Sequence, residues 1–172
     1  AVVPPSLPVA AAQRQAWPAQ LNDAPVASGS PSLAAISEDS TDPAGDTVAN
    51  LFGSSFSDAD SDTFVGIAIT ANAADSSTEG AWQYSIDNGS NWTAIATSGL
   101  SDSAALYLDS STKLRFLPVA DFNGTPGALT TRLIDNSASI PAAPSLNPFG
   151  ISDVGFIAAP VFADIDGDGR LD

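Results

Sequence analysis

Residues 80–95, Gly-Ala-Trp-Gln-Tyr-Ser-Ile-Asp-Asn-Gly-Ser-Asn-Trp-Thr-Ala-Ile, decide the fold class. Trp82, Tyr84 and Ile86 alternate with Ala81, Gln83 and Ser85, and a period of two argues for a half-buried β-strand. Asp87-Asn88-Gly89-Ser90 follows, and an Asn-Gly pair between alternating runs is the strongest short-range hairpin signal. Asn91 to Ile95 is then the return strand, carrying Trp92.

Working outward, residues 64–70 (FVGIAIT) place Val65, Ile67 and Ile69 on one face with Gly66 and Ala68 opposite. Leu33 to Ile36, Leu106 to Leu108, Lys113 to Leu117 and Ala128 to Ile134 read as further strands. Ser/Thr/Gly/Asp clusters separate the strands after residue 64 at roughly ten-residue spacing, which suggests a sandwich. Only Asp46 to Phe52 invites a helical reading, and Thr47 and Val48 weaken it. About seven strands in about 110 residues predict an all-β, Greek-key, immunoglobulin-like β-sandwich.

A chain of 172 residues has room for one domain plus flanks. The predicted organisation is a Pro/Ala-rich linker over 1–21, the sandwich over 22–136, a second linker over 137–146, and a separate acidic segment over 147–172. Ala1 to Gln20 has four prolines but no basic stretch leading into an apolar one, so it does not read as a signal peptide. It reads as a linker or as the cut edge of a longer protein, and the end of the chain inside an acidic loop reads as a second cut edge.

Acidic residues number 20 against 5 basic ones, and Lys113 is the one lysine. Phosphate binding needs clustered Lys and Arg, so nucleic acid and anionic membrane surfaces are not expected partners. No apolar run approaches the roughly 18–20 residues of a membrane span, so membrane insertion is not expected. Cysteine is absent, which removes disulfides and thiolate chemistry. Histidine is absent as well, which removes Ser-His-Asp and Cys-His catalysis, His-ligated zinc and an imidazole switch.

What the composition favours is calcium. In Asp164-Ile165-Asp166-Gly167-Asp168-Gly169-Arg170-Leu171-Asp172, aspartates recur at every second position from 164 to 168 and glycines let the backbone curl. Ca²⁺ takes about six to eight oxygen ligands, and a tight acidic loop with Gly turns supplies them. An EF-hand needs an acidic residue three positions beyond the end of this stretch, so Asp172 is expected to close the loop, with the Arg170 carbonyl as backbone ligand. The plainer alternative is a solvated acidic tail.

A second acidic cluster runs from Glu38 to Asp62. Glu38 and Asp39 follow the Leu33–Ile36 strand, and Asp58-Ala59-Asp60-Ser61-Asp62 precedes FVGIAIT. Three alternating aspartates in extended conformation project to one side, where a cation can sit. Asn22-Asp23-Ala24-Pro25 lies upstream, its proline stiffening the approach to the sandwich. These segments are expected to converge at one pole as calcium ligands: Asn22, Asp23, Glu38, Asp39, Asp58, Asp60 and Asp62. The alternative is that Asp/Ser-rich stretches are ordinary turns.

Asn22-Asp23-Ala24-Pro25, Ile36-Ser37-Glu38-Asp39 and Phe56-Ser57-Asp58-Ala59-Asp60, with residues 80–95 and 113–135, resemble the cadherin-like repeats of giant bacterial surface proteins. The resemblance implies a calcium-stiffened β-sandwich used as a non-catalytic extender in adhesins and RTX-type secreted proteins. It also implies an extracellular, cell-surface location and neighbouring repeats of the same polypeptide as partners, with cell-surface glycans or proteins met through other domains. Residues 147–172, ending in PVFADIDGDGRLD, are similar to the opening of an FG-GAP/VCBS-type repeat, a calcium-binding propeller blade whose strands are expected to lack partners here. Asn136-Ser137-Ala138-Ser139-Ile140-Pro141 stands where another Asn-Asp-Ala-Pro linker would follow Asp135.

Three features compete with this reading. Trp82, Tyr84 and Trp92 could form a stacking platform for sugar, which would suit the accessory module of a secreted hydrolase, but such aromatics are more often core. Asn88, Asn91 and Asn123 match the glycosylation acceptor pattern, and Asn88-Gly89 and Asn123-Gly124 are better explained as turns. Asp58, Asp60, Asp109 and Asp121 could supply a glycosidase-type carboxylate pair, though nothing in their spacing favours it over metal ligation.

Overall fold

The alternation around residue 82 becomes a hairpin built into one layer of a two-layer, mostly antiparallel all-β structure. The structure, a computed structural model, describes residues 22–137 together with the backbone of Ser145–Asn147 and Phe162–Ala163. In chain order the elements are β1 Val26–Ala27, β2 Ser32–Leu33, β3 Asp46–Thr47, α1 Val48–Phe52, a 3₁₀ turn Gly53–Ser55, β4 Phe56–Ser57, β5 Phe64–Asn72 and β6 Gly80–Ser85. Then come β7 Thr93–Ala94, β8 Ala105–Asp109, β9 Lys113–Pro118, β10 Leu129–Asp135, β11 Ser145–Asn147 and β12 Phe162–Ala163. One sheet has the order β10-β5-β8-β11 and the other β3-β9-β6-β7, while β1 pairs with β4 and β12 pairs with β2.

The two larger sheets share one core. Ile67 and Ile69 of β5, Leu106 and Leu108 of β8, and Leu129 and Leu133 of β10 meet Trp82 of β6 and Leu114 and Phe116 of β9. Trp82 is fully buried, sits edge-on to Phe116 with ring centres 5.3 Å apart, and donates its Nε1–H to the Gly127 carbonyl at 2.8 Å. Burial of the indole is favourable because its one polar group finds an acceptor.

A hairpin forms at this place: Gln83 and Tyr84 of β6 pair with Ala94 and Thr93 of β7, and Asn88 and Gly89 in the connection both adopt positive φ. Asp87 closes the turn by accepting from the Asn91 side-chain amide, the Asn91 N–H and the Ser85 hydroxyl. These bonds, the Asn91 side chain foremost, hold its carboxyl down at about 2.

Several expectations are corrected. Asp46 to Phe52 divides: Asp46–Thr47 is strand and Val48–Phe52 is helix, with Thr47 Oγ1 accepting from the Asn50 N–H at 3.2 Å. Val48, Leu51 and Phe52 fall on one buried face, so the threonine that seemed to oppose a helix is its N-cap. Val65 does not share a face with Ile67 and Ile69. β10 matches Ile134 to Gly66 but Asp135 to Phe64, so Val65 is an extra, bulged residue that turns toward Ala68, Tyr107 and Ile134 on the other face. Gly66 is held where a side chain would strike the Leu108 carbonyl and the Tyr107 ring. Of Leu33–Ile36 only Leu33 is strand, and of Asn91–Ile95 only Thr93 and Ala94 are. Ile86 is 64% exposed at the hairpin end. The platform of Trp82, Tyr84 and Trp92 does not form, because Trp82 is core, Tyr84 packs against it, and Trp92 stacks on Arg115 at 4.0 Å.

Trp82→Ala is expected to cost about 3–5 kcal/mol in denaturant unfolding, while Ile86→Ala stays within about 0.5 kcal/mol. Equal midpoints for the two variants would contradict this core.

Candidate functional site

At the start of β5 the chain makes a compact acidic turn. Asp58 Oδ1 accepts from the N–H of Asp60 at 2.8 Å and of Asp62 at 3.1 Å, and Ser61 takes a left-handed φ of 68°. The segment is therefore folded on itself and not extended as its alternation suggests. The outcome expected of the extended form is still reached: oxygens of Asp58, Asp60 and Asp62 all lie within 4.8 Å of one another. Two oxygens on opposite sides of one Ca²⁺ lie at most about 5.2 Å apart, so the set is compact enough to share a cation of that size.

Two other segments join the turn. The Asp23 N–H donates to Asp60 Oδ2 at 2.6 Å, and β1 sits beside β4, so the stretch beginning at Asn22 arrives next to the triad. From the far end of the chain, the Thr63 N–H donates to Asn136 Oδ1 at 2.7 Å. Asp135 is only 2% exposed, and its Oδ1 accepts from the backbone N–H and the hydroxyl of Ser137. Its Oδ2 and the Oδ2 of Asp58 are buried without a hydrogen-bond partner among the described residues.

The Asp62 carboxyl feels its neighbours. Partial burial and the charges of Asp135, Asp58 and Asp60, in that order, push the Asp62 carboxyl above the ordinary carboxylate value. Chemically the arrangement is a cluster of hard oxygen donors, which suits a hard divalent cation.

The other predicted residues fall elsewhere. Glu38 and Asp39 line a groove with Leu117 and Pro118, and Asp39 Oδ1 accepts from the Asp121 N–H at 3.4 Å. β5 and β9 both start at the triad's end, so the six residues of β9 put Pro118 about 17 Å away along the strand. Glu38 and Asp39 therefore do not converge with Asp58, Asp60 and Asp62. Asp121 is at that far end too, while Asp109 Oδ1 is occupied by the N–H and hydroxyl groups of Ser111 and Thr112. Asp164, Asp166, Asp168, Arg170 and Asp172 lie outside the described residues. The two residues before them, Phe162 and Ala163, pair in parallel with Ser32 and Leu33, so this strand has a partner.

Sequence reasoning missed Asp135 and Asn136 as members of the site. Their one signal is position: a carboxylate directly after an apolar strand stands at a pole, but which pole depends on the strand order. Searches against protein-family models, curated proteins and solved structures give no match to this chain.

The raised Asp62 value sets a pH dependence. A carboxyl whose folded value exceeds its unfolded one favours the fold while protonated. That stabilisation is complete below the ordinary carboxylate range and is lost as pH rises through the raised value. In buffer free of divalent cations, Asp62→Asn is expected to raise the melting temperature at neutral pH, and the gain should shrink on acidification. A variant that melts lower than the parent at neutral pH would refute the electrostatic reading.

Proposed function

We propose that this chain is a calcium-binding structural module, a non-catalytic extender of a secreted, cell-surface protein with a Greek-key, cadherin-like sandwich. The observation that carries the reading is the Asp58, Asp60 and Asp62 cluster, whose oxygens lie within 4.8 Å of one another and in which Asp58 Oδ2 is buried without a hydrogen-bond partner among the described residues. Asp135 Oδ2, whose carboxylate acts on Asp62, is in the same condition. Leaving a buried acceptor unsatisfied costs about 1–3 kcal/mol and more when it is charged, so such oxygens favour a cation within their reach. Asp60 also holds the backbone of Asp23, so a cation there stiffens the junction between the sandwich and whatever precedes it. Neighbouring repeats of the same polypeptide are the partners that such a junction serves. The resemblance of Asn22-Asp23-Ala24-Pro25 and Asp58-Ala59-Asp60 to cadherin-like repeats supports the same reading. The tail from Asp164 to Asp172 is proposed as a second, independent calcium loop.

A cation that binds only the folded chain stabilises it by about 2.7 kcal/mol at a hundredfold excess over Kd. Calcium is expected to raise the melting temperature by several degrees, and Asp60→Asn to abolish most of that rise. Identical melting curves in calcium and in chelator would sink the internal site. By calorimetry, Asp166→Ala is expected to remove one binding event and leave the other. An unchanged stoichiometry would mean that the tail is a solvated acidic segment.

A further inference from the structure

The sequence contains two Asn-Gly pairs, and the fold treats them oppositely. Asn88 sits at φ 59° in the β6–β7 turn, and the N–H of Gly89 donates to Ser85 Oγ at 2.8 Å. Ser85 is 2% exposed, and the turn is further closed by bonds from Ser90 and Asn91 to Asp87. The nitrogen after Asn88 is therefore engaged and its backbone is fixed.

Asn123 and Gly124 are in the opposite condition. Asn123 is exposed, and neither residue makes a hydrogen bond among the described residues. Gly124 has φ 144°, a region that L side chains rarely adopt, and a Cβ placed on it would meet only the edge of the Phe122 ring at 3.9 Å. The stretch is tethered on both sides: Phe122 packs against the core, and the Gly127 N–H donates to Glu79 Oε2 at 2.9 Å. Between those tethers the Gly124 amide nitrogen, without a hydrogen bond among the described residues, stands next to the exposed Asn123 carboxamide.

We infer that Asn123 is a site of spontaneous deamidation in the native protein and that Asn88 is protected from the same reaction. The deprotonated nitrogen of Gly124 attacks Cγ of Asn123, forming a new N–C bond. The bond from Cγ to the side-chain nitrogen breaks, and that nitrogen leaves as ammonia. Water then opens the five-membered imide at either carbonyl and leaves aspartate or isoaspartate. One water enters, one ammonia departs, and no oxidant or reductant takes part. Glycine at 124 favours attack because it has no Cβ to obstruct the ring closure. The product adds a negative charge two residues from Asp121, whose backbone is bonded to Asp39.

The test is to age the intact chain in mildly alkaline buffer, natively and in denaturant, and to quantify aspartate and isoaspartate at each site by peptide mass spectrometry. In denaturant the two sites are expected to react at similar rates. In the native protein Asn123 should keep nearly that rate while Asn88 slows several-fold. Ser85→Ala should accelerate Asn88 several-fold and leave Asn123 unchanged. The inference is overturned if folding slows Asn123 as much as Asn88, or if a folded Ser85→Ala variant leaves Asn88 at its native rate. Should that variant not fold, the native-against-denatured comparison of the parent chain decides alone.

Discussion

Trp82 is the contact on which the two sheets close. It reaches from β6 into the shared core, packs edge-on against Phe116 of its neighbour strand, and ties the loop before β10 through its bond to Gly127. That loop in turn is held by Glu79, whose carboxylate accepts from both Gly127 and Asp75. A chain without cysteine has no covalent link between its layers, so burial and a few such anchored polar atoms must set the relation of one sheet to the other. Phe52 and Val48 of α1 are as fully buried as Trp82, so the short helix completes the same core.

Because the middle is apolar, charge is driven to the ends and the outer faces. The two described arginines are buried and paired: Arg115 with Asp42 and Gln83 under Trp92, and Arg132 with Asp102. Both acidic partners are largely exposed, so these pairs serve mainly to satisfy guanidinium groups that packing has covered. Acidic groups left over cannot all find cations from the protein. They collect in turns, where backbone N–H groups accept the role of partner: Asp58, Asp75, Asp87 and Asp109 each take N–H bonds from residues two to four positions ahead.

Local signals were the legible ones. The Trp82–Ile95 hairpin could be read because period two and Asn-Gly act over a few residues, and the Asp58–Asp62 cluster because its members are neighbours in the chain. The helix at Val48 was not legible, since five residues give too little periodicity to outweigh a threonine and a valine. The bulge at Val65 was hidden because it depends on how β10 pairs with β5, and one extra residue exchanges the faces. Glu38 and Asp39 were misplaced for a similar reason: a strand's end in sequence does not say which end of the sandwich it occupies. The bond from Thr63 to Asn136 spans 73 residues, a separation at which single-sequence patterns carry no information.

The acidic pole divides the labour within each carboxylate. Oδ1 of Asp58 shapes the turn, Oδ1 of Asp135 is held by Ser137, and Oδ2 of Asp60 fixes Asp23. In Asp58 and Asp135 the other oxygen is buried without a partner among the described residues. Under the proposed function, a cation arriving there meets Asp58 and Asp60 carboxylates already held by hydrogen bonds, so little of their side-chain entropy remains to be lost on binding. Burial first, then the charges of Asp135, Asp58 and Asp60, lift the Asp62 carboxyl in the cation-free protein, and a divalent cation bound there as proposed would offset the repulsive part. Under the proposed function, stability and ligation at this pole are two expressions of one charge arrangement: the neighbours that burden the Asp62 carboxyl without a cation would share one with it.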